Sequence, residues 1–205
     1  MSAGAAPGTG GVFANVDGGE VLGGAEPLLY RPACPDDDEV IATIDGSFTS
    51  NSVFEVTATG EGFSICEKPV TPPLHKIFPV EDDDEERQDE DPSLTRTIVA
   101  CAGEELCGFV KASFDPWNSR LTICDIEVSP NYRRRGVGRT LMSHAFDFAR
   151  ECGAGHVWLE VTNINAPAIR AYLRLGFTFC GLDVLLYEGT ESAGERALFM
   201  SRRLP

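Results

Sequence analysis

No stretch of this sequence approaches the ~18 consecutive apolar residues of a membrane-crossing helix, and no basic patch leads into an apolar run near the N-terminus. Neither a membrane span nor a secretory signal is therefore expected. Basic residues are scarce: 17 Lys and Arg stand against 32 Asp and Glu, a net charge of −15. That balance argues against nucleic acid and anionic membranes as partners and favours a cationic small molecule or peptide. The three histidines, His75, His144 and His156, make no ligand-like spacing with the cysteines, and no CxxC pair occurs, so no metal site is expected. The phosphate loops GxxxxGK[ST] and GxGxxG are also missing. The seven cysteines are odd in number and scattered, mostly within apolar runs, which fits buried, reduced thiols in a cytoplasmic protein. None has a nearby base or helix start that would make it a nucleophile.

What is present describes one globular domain. The chain has 205 residues, 42% hydrophobic and 24% charged, against ~150 residues for a typical domain. Residues 1–26 are Gly- and Ala-rich without periodicity and read as a tail outside the fold, leaving 27–205 as the domain. Within it, nine of the eleven residues 81–91 are acidic and one is basic, so this block carries more than half of the net charge. Its self-repulsion predicts a solvated loop. Asp36–Ile44 reads as a short helix. Ser52–Ala58 and Gly62–Glu67 form a hairpin pattern, and Thr95–Ala102, Leu106–Phe114 and Arg120–Val128 form an antiparallel meander joined by short turns. The period then changes. Val137, Leu141, Ala145, Phe148, Ala149 and Cys152 recur at three- and four-residue steps, one face of a helix ending before Gly153. A strand at His156–Val161, a helix at Asn165–Leu175 and strands at Phe177–Tyr187 and Arg196–Ser201 complete the pattern. Together they predict an α/β (α+β) fold: a single, mostly antiparallel twisted sheet flanked by helices.

The most informative segment runs from Asp125 to Arg139, where a strand ends and a glycine-containing turn opens an amphipathic helix. The first N–H groups of a helix have no partner within it, and the helix dipole makes that end electropositive, so the turn is a candidate anion site. Gly136 and Gly138 allow close backbone approach. Arg133, Arg134, Arg135 and Arg139 concentrate positive charge there in an otherwise acidic chain, which points to a polyanionic ligand.

Arg133-Arg-Arg-Gly-Val-Gly138 is similar to the R/Q-x-x-G-x-G/A pyrophosphate signature of the GNAT superfamily of acyl-CoA N-acetyltransferases. Val128-Ser-Pro-Asn-Tyr132 resembles the approach to it, and Leu159-Glu-Val-Thr-Asn163, Asn165, Ala168, Tyr172 and Leu175-Gly-Phe177 resemble the second segment of the same superfamily. Other segments (Asp45–Thr49, Phe54–Gly60, Phe114–Trp117, Ala154–Asn163 and Cys180–Tyr187) resemble the branch that acetylates streptothricin-class antibiotics. The resemblance implies acetyl-CoA as co-substrate and a cationic small-molecule amine as acceptor, through direct transfer in a ternary complex. Main-chain groups of Ile126 to Val128 would pair with the pantetheine arm. Amides across Arg134 to Arg139 would hold the pyrophosphate, with Arg133, Gly136, Val137, Gly138 and Thr140 in the same cofactor site, and Asn165 would hold the pantetheine. Tyr172 falls at the general-acid position. Two carboxylates, Glu160 and Glu127, are candidates for the base that takes the ammonium proton, and either could instead bind the cationic substrate. Asp125, Asp183 and Trp117 are substrate-binding candidates, Asp183 with a capping role as its alternative. A homodimer stays open as an assembly state. Acceptors other than streptothricin (protein N-termini or lysines, polyamines, aminoglycosides) and a catalytically silent CoA-binding module are the rival readings.

Overall fold

A computed structural model describes residues 27–78 and 91–204. The expected tail, residues 1–26, and all of the acidic block except Asp91 lie outside the described residues. The strands are β1 (Leu28–Pro32), β2 (Phe48–Thr59), β3 (Gly62–Lys76), β4 (Thr95–Ala102), β5 (Glu105–Asp115), β6 (Arg120–Val128), β7 (His156–Thr162), β8 (Thr178–Asp183) and β9 (Ala197–Arg203). The helices are α1 (Asp38–Ile41), α2 (Val137–Glu151) and α3 (Ala166–Arg174). Seven strands form one sheet in the order β1-β4-β5-β6-β7-β9-β8, while β2 and β3 pair only with each other. The α2 crossover makes β6 and β7 parallel, as a helical connection between neighbouring strands requires; the other pairs are antiparallel.

Alternation along β4 explains why the sheet is covered on both faces. Ile98 and Ala100 join the main core with Val110, Leu121, Leu141 and Met200, where α2 lays its apolar stripe. Val99 and Cys101 point the other way and pack with Phe109, Ile41 and Ile44 around α1. The hairpin β2–β3 is fastened to the main sheet by Asn163, a buried residue at the end of the Leu159–Asn163 segment. Its Nδ2 donates to the Phe54 carbonyl at 2.9 Å, and its Oδ1 accepts from the Arg196 N–H at 2.8 Å. Replacing Asn163 with alanine strands both backbone groups. Stability is expected to fall by about 2–3 kcal/mol, read as a lower urea midpoint at unchanged slope.

Several expectations are corrected. The hairpin is longer than predicted and forms its own two-stranded sheet, so the fold is not a single sheet throughout. The strand β1, unpredicted, adds an edge beside β4. The first helix stops at Ile41 because the N–H groups of Thr43 and Ile44 bond three residues back, to Val40 and Ile41. The strand expected to reach Tyr187 ends at Asp183, whose carboxylate accepts from the Leu185 N–H at 2.7 Å and turns the chain. All seven cysteines are free, but only Cys101 and Cys107 are buried; Cys34, Cys66, Cys124 and Cys180 are exposed and Cys152 is intermediate.

Candidate active site

The site forms where the two parallel strands part. The ladder between β6 and β7 runs from Arg120↔His156 to Ile123↔Leu159 and stops there. Beyond it, Ile126 to Val128 stay in register with β5 and Glu160 to Thr162 with β9. The register with β5 shifts between Lys111 and Ala112, so Cys124 sits as a bulge between Ile123↔Ala112 and Asp125↔Lys111 and bends β6 as it leaves its neighbour. The result is a slot with backbone groups of Ile126 and Val128 along one wall, fit for an extended, amide-bearing arm.

At the far end of this wall the chain curls into α2. Arg134 and Gly136 both have positive φ, 60° and 90°. The curl demands glycine at position 136, where a left-handed backbone otherwise strains the residue. No side chain caps α2 and its first turn holds no acidic residue. Thr140 is the first residue to bond back, to the Gly136 carbonyl at 3.0 Å. The N–H groups of Val137, Gly138 and Arg139 therefore emerge from the helix end without intrahelical acceptors, at the positive pole of the dipole. Around them Arg134 and Arg139 are exposed, and Arg135 lies over the Tyr132 ring, 5.4 Å from its centroid. This turn suits a polyphosphate ligand. The Arg133 guanidinium donates to the carbonyls of Val128, Ser47 and Asp45.

Three titratable groups on β6, β7 and α3 have shifted acidities. Glu127 is half-buried; burial and the neighbouring charges of Asp125 and Asp45 push its carboxyl up to about 7, against the opposing pull of Arg133. Glu160 on β7 is also raised, by burial first and then by Glu195, while a hydrogen bond from the Tyr187 hydroxyl opposes the shift. Tyr172 sits on α3, its ring 5.9 Å from that of Phe177. Burial, and then the charges of Asp125 and Glu160, hold its phenol well above the usual tyrosine range, so it stays protonated near neutral pH. Asp125 thus acts electrostatically on both Glu127 and Tyr172, and Glu160 on Tyr172, which places these four groups in one region. Asn165 starts α3: its Oδ1 caps the Ala168 N–H at 3.1 Å.

One substrate-binding candidate, Trp117, lies elsewhere. Trp117 is 84% exposed on the turn joining β5 to β6. Ile126 is six residues beyond the start of β6, roughly 20 Å along the strand, so Trp117 belongs to the opposite end of the sheet. Asp183 serves as the turn cap described above.

Sequence reasoning missed Tyr187 and Glu195, which reach the site from the loop between β8 and β9. Glu195 accepts from Lys76 Nζ at 2.6 Å and from Thr162 Oγ1 at 2.5 Å, tying that loop to β3 and β7. Only the tertiary fold brings these residues together. Among the described residues no cluster of three or more His, Cys, Asp or Glu could hold a metal, and no helix is long and apolar enough to cross a membrane.

Residues 63–177 match the model of the acetyltransferase (GNAT) family. The streptothricin acetyltransferase of Streptomyces lavendulae is 55% identical over 179 residues, 86% of this chain and 95% of that one. One from Escherichia coli is 30% identical over 74% of this chain and 83% of its own. Among solved structures, a nourseothricin acetyltransferase superposes with a TM-score of 0.80 at 55% identity, covering 87% of this chain and 99% of that one. A Bacillus anthracis protein solved in complex with acetyl coenzyme A gives 0.71 at 25% identity, over 89% of this chain and all of that one. The overall fold is thus shared with these structures, and this chain belongs to the GNAT family of acetyltransferases.

Proposed function

We propose that this acetyltransferase moves the acetyl group of acetyl-CoA to an amine of a streptothricin-class (nourseothricin) antibiotic, on its β-lysine moiety, in one direct step within a ternary complex. The observation that carries this reading is the 55% identity to the S. lavendulae streptothricin acetyltransferase across 95% of that protein. The geometry is compatible with it. Backbone groups of Ile126 and Val128 would pair with the pantetheine arm, with the Asn165 amide beside it. The free N–H groups of Val137 to Arg139, flanked by Arg134, Arg135 and Arg139, would hold the pyrophosphate, and Thr140 follows in the same turn. Bound there, the co-substrate supplies an acyl group already activated as a thioester.

The chain's own groups then divide the proton work. An amine of this class is an ammonium at neutral pH and must lose a proton before it can attack. Glu160, raised but oriented by Tyr187, takes that proton. Tyr172, held neutral, gives one to the departing thiolate. Glu127, Asp125 and Asp45 draw the polycation in. Acetylation removes a positive charge and a donor from the drug, which is how it would confer resistance.

One pH dependence follows. As pH falls through about 7, Glu127 takes up a proton and its attraction for a cation is lost, so KM for the drug should rise on the acid side. Steady-state kinetics across that range would check it; a flat KM would remove Glu127 from substrate capture. Substrate class is tested by offering nourseothricin, polyamines, aminoglycosides and N-terminal peptides with acetyl-CoA and following thiol release. Preference for nourseothricin supports the proposal, and equal or better turnover of another class overturns it.

A further inference from the structure

Arg133 opens the glycine-turn signature, and its position there predicts a contact with phosphate. Its hydrogen bonds describe another task. Nε donates to the Val128 carbonyl at 2.6 Å, Nη1 to Ser47 at 2.5 Å and Nη2 to Asp45 at 2.7 Å. Three backbone carbonyls, two of them more than eighty residues away in sequence, thus share one half-buried guanidinium. The planar fork of arginine suits such a set, and lysine cannot reproduce it. Exposed Arg134 and Arg139, by contrast, make no hydrogen bond or ion pair with any described residue.

The loop held by Arg133 is the backing of Glu127. A Cβ built on Gly46 would lie 2.0 Å from Glu127 Oε1, so the carboxylate packs directly on a bare Cα. Asp45 Oδ1 accepts from the Ser47 N–H at 2.8 Å and folds the loop on itself. Arg133 therefore grips Glu127 from two directions, through the residue that follows it on β6 and through the loop behind it.

We infer that Arg133 is a positioning residue: it seats loop 45–47 against Glu127, joining the cofactor turn to the amine-binding side, and does not itself bind the diphosphate. The inference rests on the acetyl-transfer reading only for its kinetic readout, since the seating of the loop can be measured without an acceptor.

The test uses the full chain with Arg133→Met and Arg133→Lys. Calorimetric titration with CoA should give affinities within about twofold of wild type, because no ligand contact is removed, whereas loss of charged hydrogen bonds typically changes an equilibrium about 10–100-fold. Hydrogen exchange of residues 42–49 should quicken by about tenfold or more in Arg133→Met, and KM for nourseothricin should rise by a similar factor. Arg133→Lys should recover part of both, since an ammonium reaches some but not all three carbonyls. Gly46→Ala displaces the same carboxylate from the other side; it should raise the drug KM with CoA binding intact, and it carries the comparison if Arg133→Met fails to fold. An Arg133→Met protein that binds CoA tenfold or more weakly, with loop exchange and drug KM unchanged, would make Arg133 a phosphate ligand and overturn the inference. If wild type acetylates no drug, the functional reading fails, while CoA titration and loop exchange still decide the role of Arg133.

Discussion

Replacing Tyr172 with phenylalanine is expected to lower kcat by about 10²–10⁴-fold, the range that a positioned proton donor typically supplies. The affinity for CoA should hardly change. The substitution removes one oxygen and keeps the ring that packs on Phe177. No hydrogen bond of the fold is lost, because the hydroxyl has none with a described residue. A tyrosine kept only for packing would tolerate the change. A proton donor would not, since burial and the nearby charges of Asp125 and Glu160 keep the phenol protonated and available to the departing thiolate. Rapid-quench kinetics with saturating acetyl-CoA and drug would isolate the transfer step. Unchanged kcat would leave Tyr172 without a catalytic role.

Glu160→Gln should be comparably severe, with kcat reduced by about 10²–10⁴-fold and the drug KM changed far less. The amide is isosteric and can still accept from Tyr187, so the loop between β8 and β9 should hold its place. What disappears is the ability to take a proton. Glu127→Gln provides the contrast: its effect should fall mainly on KM, because Glu127 is assigned to cation capture. Measuring both variants across pH separates the roles. The acid limb of kcat should vanish in Glu160→Gln and persist in Glu127→Gln. The reverse pattern would exchange the two assignments.

Much of this arrangement was legible before the fold was known, for physical reasons that differ by element. The meander β4–β6 announces itself through alternation and short polar turns, and α2 through an apolar stripe that stays in phase over its length. The glycine turn is legible because anion binding at a helix start is local in sequence. Elements that depend on distant partners were not. β1 is five residues long and ends in Pro32, too little signal to separate it from the segment before it. Pro69, Pro72 and Pro73 concealed the length of β3, since proline reads as a strand breaker, yet it is tolerated where only one side of a strand is paired. Arg133 groups with the other arginines by charge and by its place at the head of the glycine-turn signature. Only the fold places three carbonyls around it. Tyr187 and Glu195 likewise acquire meaning from β7 and β3 and from nothing in their own neighbourhood.

The central claim is settled most directly by one reaction, in which purified protein, acetyl-CoA and nourseothricin are mixed and free thiol and drug mass are followed together. Acetyl transfer to the antibiotic predicts one thiol released for every acetyl group gained, with fragmentation placing that group on the β-lysine moiety. Thiol release no faster than in the absence of protein, or release that leaves the drug unmodified, would contradict it.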